Sequence, residues 1–210
     1  MLGGPNRSRL SERREATRRE ILDAAWALAG EVGLANLTLR DLAGRVGMQP
    51  PSLYSHFKSK NAIYDAMFGQ AWADYESHAL AELEDLPDHP RTAIKKVART
   101  WFDYAVADLA RHQLMNQRTI PGFEPSPESY APAVRVLDKG VATLRELGVT
   151  DRADFDIWVS LLGGLVDQQL ANDPGGDRFA RLLDRAIDMW ADAIGIPPEK
   201  KSQPKSGRRK

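Results

Sequence analysis

The chain has 210 residues, 42% of them hydrophobic, which allows one mid-sized domain or a small domain joined to a larger one. The absence of cysteine excludes disulfides and thiolate metal sites. The formal net charge is zero, but Lys and Arg outnumber Asp and Glu ten to six in residues 1–60 and six to one in 195–210, and are outnumbered thirteen to twenty-two in 61–194. This asymmetry favours a local contact with a polyanion.

Two classes of protein are disfavoured by what the sequence lacks. No apolar run approaches the roughly 18 residues of a membrane span, and the N-terminus has no apolar segment typical of a secretory signal. We therefore expect a soluble, cytoplasmic protein with no membrane partner. Phosphate-binding glycine loops, HExxH and GxSxG motifs are absent, and the four histidines lack metal-ligand spacing. We therefore expect no catalytic residues, no metal and no cofactor.

Helical periodicity runs through the chain and strand signals are almost absent, so the predicted fold class is all-α. Thr17 and Glu20 have the spacing of a capping box, which predicts a first helix from Thr17 to Gly33. The arginines ahead of this helix are assigned to a flexible basic arm, residues 1–14.

The following signals mark two short helices and the start of a long one. Thr38 with Asp41 caps a helix that Gly47 stops in a left-handed conformation. A helix over 49–56 follows, with two prolines in a first turn where their missing N–H groups cost little. Ser59 then caps a long helix that is predicted to end at about residue 83.

The rest of the chain is predicted to be helical with one long loop and a tail. The prolines of residues 120–132 predict a loop, and the polar residues 195–210 predict a disordered basic tail. Further helices are expected at about 91–109, 112–118, 128–147, 152–171 and 177–194, the last two with Asp151 and Asp177 as N-caps.

Residues 38–60 have the physical features of a helix-turn-helix. Apolar residues face inward, Gly47 provides a tight turn, and the second helix exposes short polar groups that can reach base edges. Flanking side chains and the N-terminus of the next helix are suited to phosphates. The inward residues are Leu39, Leu42, Val46, Met48, Leu53 and Phe57; the base-reading candidates are Gln49 and Ser52; the phosphate-binding candidates are Tyr54, His56, Lys58 and Lys60.

The segment LTLRDLAGRVGMQPPSLYSHFKSKNAIYDAM resembles the DNA-binding domain of the TetR family of bacterial one-component regulators. The resemblance implies a three-helix DNA-binding domain over residues 15–60, joined to a larger helical ligand-sensing and dimerisation domain over residues 61–194. The matching positions are Thr38, Leu42, Ala43, Val46, Gly47, Leu53, Tyr54, His56, Phe57, Ser59 and Lys60.

The resemblance also implies roles for single residues. Tyr54, His56 and Lys60 would hold phosphates, Thr38 would touch the DNA backbone, and Arg40 would reach a phosphate or a base. Proline cannot donate a hydrogen bond, so Pro50 offers only apolar contact. Base reading is therefore expected to depend on Gln49, Ser52, Ser55 and Arg40.

The larger domain resembles the family's C-terminal domain loosely, which implies an all-helical domain that pairs with a second copy and encloses a pocket. Two apolar stripes near its end predict a helical hairpin wide enough for a core and a partner, with Gly163 and Gly164 fitting the close approach of a helix or a ligand. The alternative is that both stripes are internal core. The interface candidates are Leu161, Gly164, Leu165, Leu183, Ile187 and Trp190.

The same domain is rich in aromatic residues, which line small-molecule pockets together with a few polar groups but are also common in ordinary cores. The helix that begins at Lys60 is expected to link the DNA contact to this region. The ligand-binding candidates are Trp72, Tyr75, Trp101, Tyr104, Gln117, Phe123, Trp158 and Gln168.

The combined features predict a homodimeric, sequence-specific DNA-binding transcriptional regulator. The favoured form is a repressor that a small, largely apolar ligand releases from a palindromic operator in double-stranded DNA. An enzyme is disfavoured by the missing motifs. A non-specific architectural DNA-binding protein is favoured by the basic ends but disfavoured by the acidic body.

Overall fold

The computed structural model describes residues 5–199, without the side chains of residues 5–8 and 10. Over this range the chain is helical and has no strand, which confirms the predicted all-α class. Two short 3-10 turns, Leu34–Asn36 and Ala180–Leu182, separate neighbouring helices. The α-helices of the described range are α1 Pro5–Val32, α2 Leu39–Arg45, α3 Pro50–Leu53, α4 Lys60–Glu82, α5 Pro90–Ala107, α6 Leu109–Asn116, α7 Pro127–Glu146, α8 Arg152–Asn172 and α9 Leu183–Ala193.

The described chain divides into two compact units. The first unit comprises the residues up to His78 together with Tyr104–Asp138, and the second comprises Ala79–Asp103 and the residues from Lys139 onward. Helices α4, α5 and α7 contribute residues to both units. The expected boundary after residue 60 is therefore not where the structure divides, because α6 and the first part of α7 belong to the same unit as the helix-turn-helix.

Helix α1 begins well before the capping box predicted from the sequence. It starts at Pro5, a residue type that suits the first turn of a helix because its missing N–H has no partner there. The hydroxyl of Thr17 donates to the carbonyl of Arg13 at 3.0 Å and does not cap a helix start. The segment expected to be a flexible arm is thus helical from Pro5 onward, and residues 1–4 lie outside the described residues.

The local capping signals of the later helices are confirmed. The side chain of Thr38 accepts the backbone N–H of Asp41 at 3.1 Å, and that of Asp151 accepts the N–H of Ala153 at 2.8 Å. Gly47 has φ 66°, the left-handed conformation that glycine adopts without a steric cost. At the start of α4, the hydroxyl of Ser59 accepts the N–H of Ala62 at 3.1 Å.

The start of α9 was wrongly predicted at Asp177. The amide oxygen of Gln169, a buried residue of α8, accepts the backbone N–H groups of Phe179 and Ala180 at 2.9 and 3.2 Å. A carboxylate oxygen of Asp173 accepts the N–H of Arg178 at 2.8 Å, which lowers the pKa of Asp173. These side-chain acceptors hold the connection in a non-helical form, so the regular helix begins at Leu183.

The core of the first unit joins the helix-turn-helix to the helices that follow it. Buried apolar side chains from α1, α2, α3, α4 and α6 form one cluster, against which Ile120 and Phe123 of the α6–α7 loop also pack. Members from each of these helices include Leu28, Leu42, Leu53, Met67 and Leu114.

The second unit contains a ladder of ion pairs between α5 and α9. Arg91 pairs with Asp192 at 2.5 Å, Lys95 with Asp188 at 2.8 Å, and Arg99 with Asp184 at 3.3 Å. The basic groups recur every four residues along α5 and the acidic groups every four along α9 in the opposite direction, as two antiparallel helices require.

The expected disordered tail does not begin at residue 195. Ile196 is buried, its N–H donates to the carbonyl of Ala191 at 2.9 Å, and its carbonyl accepts from the guanidinium of Arg91. Residues 200–210 of the tail lie outside the described residues. Among the residues that the structure describes, no helix is long and apolar enough to cross a membrane.

Candidate functional site

The helix-turn-helix buries its apolar side and exposes its polar side. Leu42, Leu53 and Phe57 are buried in the core of the first unit, as the sequence predicts. On the other side, Tyr54 is 55% exposed. The remaining candidate DNA-contacting residues fall in two groups: Thr38, Arg40, Gln49, Ser52 and Lys58 are exposed, whereas Pro50, His56 and Lys60 are half-buried.

Helix α3 is shorter than the helix predicted over 49–56. Gln49 is its N-cap, Pro50 and Pro51 form its first turn, and the α-helical hydrogen bonding ends at Leu53. The following residues continue as a tight turn, in which the N–H groups of Ser55 and His56 donate to the carbonyls of Ser52 and Leu53. The exposed polar groups available to base edges are therefore few and lie close together.

Two arginines of α1 support the end of this recognition segment, and sequence reasoning missed them. Arg14 donates to the carbonyl of Ser55 at 3.0 Å, and Arg18 donates to the carbonyl of His56. The guanidinium of Arg18 also lies 4.1 Å from the ring centroid of Phe57. Carbonyl groups at a helix C-terminus lack hydrogen-bond donors within the helix. The two arginine side chains supply these donors. The spacing of four residues between the two arginines was the available signal.

Lys60 is held over an aromatic ring at the start of α4. Its ammonium lies 5.4 Å from the ring centroid of Tyr64, whose hydroxyl donates to the carbonyl of Leu34 at 2.5 Å. Burial raises the pKa of Tyr64 to about 12. This arrangement leaves a cation beside the N-terminal turn of α4, where a phosphate would be favoured.

A cavity of about 210 Å³ lies in the same unit as the helix-turn-helix. Two of the eight ligand-binding candidates, Gln117 and Phe123, line it. The lining combines residues of α4, α6, the α6–α7 loop and α7. The other lining residues are Phe68, Leu114, Met115, Asn116, Arg118, Ile120, Glu124, Pro125 and Tyr130.

The other ligand-binding candidates lie elsewhere. Trp72, Tyr75 and Tyr104 belong to the first unit and pack together, with the ring centroids of the two tyrosines 4.9 Å apart. Burial raises the pKa of both tyrosines. Trp101, Trp158 and Gln168 belong to the second unit, where Trp158 is buried beside Phe155 and Gln168 is exposed. These eight residues therefore do not form one cluster.

The dimer-interface candidates divide by burial. Leu183, Ile187 and Trp190 are buried within the chain and belong to the core of the second unit, which differs from their assignment to a surface. Leu161 and Leu165 are half-buried, and Gly164 is exposed with open space around its missing side chain. The exposed large apolar side chains of α8, α9 and the turn before α9 are Ile157, Val159, Leu182 and Met189.

Comparison with known proteins agrees with the motif. Residues 21–67 match the family model described as bacterial regulatory proteins, tetR family. The tetracycline repressor protein class A from transposon 1721 of Escherichia coli is 26% identical over 187 residues, which is 82% of this chain and 80% of that protein.

Two solved structures show the same fold. A TetR family transcription regulator from Marinobacter aquaeolei VT8 has a TM-score of 0.63 at 18% identity, covering 87% of this chain and 97% of that one. The transcriptional regulator FadR from Bacillus subtilis, solved in complex with stearoyl-CoA, has a TM-score of 0.61 at 15% identity, covering 82% and 96%.

The fold and the exposed motif define a DNA-binding regulatory protein of the helix-turn-helix class. The family match and the long alignment with the tetracycline repressor narrow this class further. Residues 21–67 therefore carry a DNA-binding domain of the TetR family of bacterial regulatory proteins, and most of the chain is similar in sequence to a tetracycline repressor.

Proposed function

We propose that this chain is a homodimeric repressor that binds a palindromic operator and is released from it by a small, largely apolar ligand. The observation that carries this proposal is the single apolar core of the first unit. Leu53 of α3, the second helix of the helix-turn-helix and hence the recognition helix, belongs to the same buried cluster as Leu114 of the cavity wall. A ligand that displaces one part of a close-packed core must move its neighbours, so cavity and DNA-binding helices are physically linked.

The DNA contact would use the exposed side of the motif. Gln49, Ser52 and Arg40 present groups that can read base edges in the major groove. Tyr54, His56, Lys58 and Lys60 would hold phosphates, together with Thr38 at the start of α2. Because one copy exposes so few base-reading groups, a second copy on a symmetric half-site would be needed for specificity.

The ligand would bind in the cavity of the first unit. Its walls combine aromatic rings such as Phe68 and Phe123 with polar groups at Asn116 and Arg118, the combination that lines small-molecule sites. Related proteins support a ligand: the B. subtilis FadR structure contains stearoyl-CoA, and the E. coli relative is named for tetracycline.

The second copy would pack on the exposed apolar face of α8 and α9. Ile157 is 56% exposed and Met189 is 65% exposed, although both are large and apolar. Side chains at Gly163 and Gly164 would meet nothing within 4 Å, so no close approach inside the chain requires these glycines. The roughly 1 kcal/mol that glycine costs in mid-helix is explained if a partner helix approaches there.

The test is selection of DNA from a random library by the purified protein, followed by competition and ligand screening. We expect a near-palindromic sequence that bulk DNA displaces only at about a thousandfold excess or more. A small apolar compound found by thermal shift should then weaken binding to that sequence. Equal affinity for selected and bulk DNA would favour an architectural DNA-binding protein instead.

A further inference from the structure

The start of α7 is tied to α4 by one carboxylate. Asp65 accepts the backbone N–H of Ser126 at 2.6 Å and the hydroxyls of Ser126 and Ser129 at 2.9 Å each. Ser126 immediately precedes the first residue of α7, and its hydroxyl accepts the N–H of Ser129 at 3.2 Å. A carboxylate at a helix N-terminus makes charge-assisted hydrogen bonds and is favoured by the helix dipole. We call these three residues the α4–α7 clasp.

The two helices approach closely next to the clasp. A Cβ atom placed on Gly69, one turn after Asp65, would lie 3.3 Å from the backbone and side chain of Ser129. The rings of Phe68 and Tyr130 stack with their centroids 5.9 Å apart and an interplanar angle of 11°. Helix α7 therefore cannot move toward α4 at this point without displacing it, because the two helices are already in close contact.

The clasp borders the cavity on one side. Pro125, which immediately precedes Ser126, lines the cavity. So do Phe68 of α4 and Tyr130 of α7, the two residues whose rings stack between the helices. Phe123 of the same loop lies edge-on to Tyr64, with ring centroids 5.8 Å apart. A ligand that moves this loop would act directly on the serine end of the clasp.

The clasp borders the DNA contact on its other side. Asp65 follows Lys60 by five residues, which is about 7.5 Å along an α-helix. Tyr64, the neighbour of Asp65 in sequence, carries the ring over which the ammonium of Lys60 lies. The direction of the first two turns of α4 thus depends on Asp65, which is hydrogen-bonded to the end of the α6–α7 loop. We call this loop the cavity loop.

We infer that Asp65 is a positioning residue for DNA binding, which holds the first turns of α4 in the DNA-binding orientation and yields when the cavity loop moves. This inference rests on the proposed function, and it adds the residue through which cavity and DNA contact are coupled. Asp65 does not touch DNA in this role; it acts through Lys60 and the packing of α4.

The experiment compares Asp65→Ala with Glu76→Ala. Glu76 is the matched control because it also joins α4 to α7, through two hydrogen bonds of 2.7 and 2.6 Å to Arg135, three turns farther from Lys60. Affinity for the duplex selected by the wild-type protein is measured by fluorescence anisotropy, below the unfolding temperature of each variant.

We expect Asp65→Ala to lose about tenfold or more in DNA affinity, the effect of a lost charge-assisted hydrogen bond, while Glu76→Ala stays within about twofold of wild type. Asp65→Asn, which keeps an acceptor for the N–H of Ser126, should fall between wild type and Asp65→Ala. A loss of thermal stability alone would not produce this order, because all affinities refer to folded protein.

Two results would overturn the inference: a folded Asp65→Ala variant with wild-type affinity, or an equal loss for Glu76→Ala. If Asp65→Ala does not fold, the double variant Ser126→Ala with Ser129→Ala decides by the same criteria, since it removes two donors and leaves the carboxylate. Failure of the wild-type protein itself to select any DNA sequence would overturn the proposed function and this inference together, and is thus distinguishable from failure of the inference alone.

Discussion

Replacing Arg91 by methionine tests the ion-pair ladder of the second unit at its most buried rung. The side chain of Arg91 is only 6% exposed, and it donates to Asp192 at 2.5 Å and to the carbonyl of Ile196. A second carboxylate, that of Asp188, lies 3.5 Å away. Methionine keeps the length and apolar character of the side chain but removes every donor.

The expected cost follows from what each partner loses. A hydrogen bond to a charged group contributes about 1.5–3 kcal/mol, and a buried carbonyl left without its donor costs about 1–3 kcal/mol. The side chain of Asp192 is 66% exposed and can hydrogen-bond to water after the substitution. The free energy lost at Asp192 is therefore at the low end of the range for a hydrogen bond to a charged group. The Nε atom of Arg91 is buried with no hydrogen-bond partner among the described residues, and its removal offsets a fraction of the loss. We therefore expect a net destabilisation of roughly 2–4 kcal/mol.

The control is Lys95→Met, at the next rung of the same ladder. The Nζ atom of Lys95 lies 2.8 Å from Asp188, but its side chain is more exposed than that of Arg91, so the pair should contribute only about 0.2–1 kcal/mol. Urea denaturation followed by circular dichroism gives both free energies of unfolding. If Arg91→Met costs no more than Lys95→Met, burial does not distinguish the rungs and the reasoning fails.

Four further outcomes are expected. Lys60→Ala should weaken binding to all DNA sequences alike and lower the slope of log affinity against log salt by about two for a dimer; an unchanged slope would exclude Lys60 from the phosphate contacts. Gln49→Ala should instead relax preference at one or two symmetric base pairs by about 1–3 kcal/mol, as measured by competition with point-changed operators. Met189→Glu should give a folded monomer in sedimentation, whereas Leu183→Asp, at a buried position, should unfold the second unit; a dimeric Met189→Glu would move the interface elsewhere. Burial raises the pKa of Tyr64 from its ordinary value near 10 to about 12, so its contribution to stability should disappear as pH rises across that range, and Tyr64→Phe should flatten the alkaline decline in melting temperature.

The features that could be predicted from sequence are those whose causes are local. Thr38, Ser59 and Asp151 cap helices through N–H groups two or three residues away, so their spacing alone identifies the helix starts. Gly47 marks its turn because few other residues adopt a positive φ. The alternation of apolar and polar residues around these signals was sufficient to identify the helix-turn-helix and its exposed side.

The features that were missed depend on partners distant in sequence. Helix α1 extends to Pro5 although its first turns lack an apolar face, and Arg14 and Arg18 find carbonyl partners about forty residues away. The start of α9 is delayed because Gln169 of another helix captures the backbone N–H groups that would begin it. No local pattern contains this information. The cavity is different, because ten of its eleven lining residues lie within residues 114–130 and only Phe68 of α4 is distant in sequence.

If the proposed function is correct, the shared core of the first unit also limits how the protein could come to respond to a different ligand. Interior cavity residues such as Phe68 and Leu114 pack with the DNA-binding helices, so changing them to suit another ligand would alter operator affinity at the same time. Asn116, Gln117, Arg118 and Glu124 line the cavity but are exposed and lie outside that core. Divergence of ligand preference among close relatives should therefore concentrate at these rim positions, while the interior changes only together with the recognition helix.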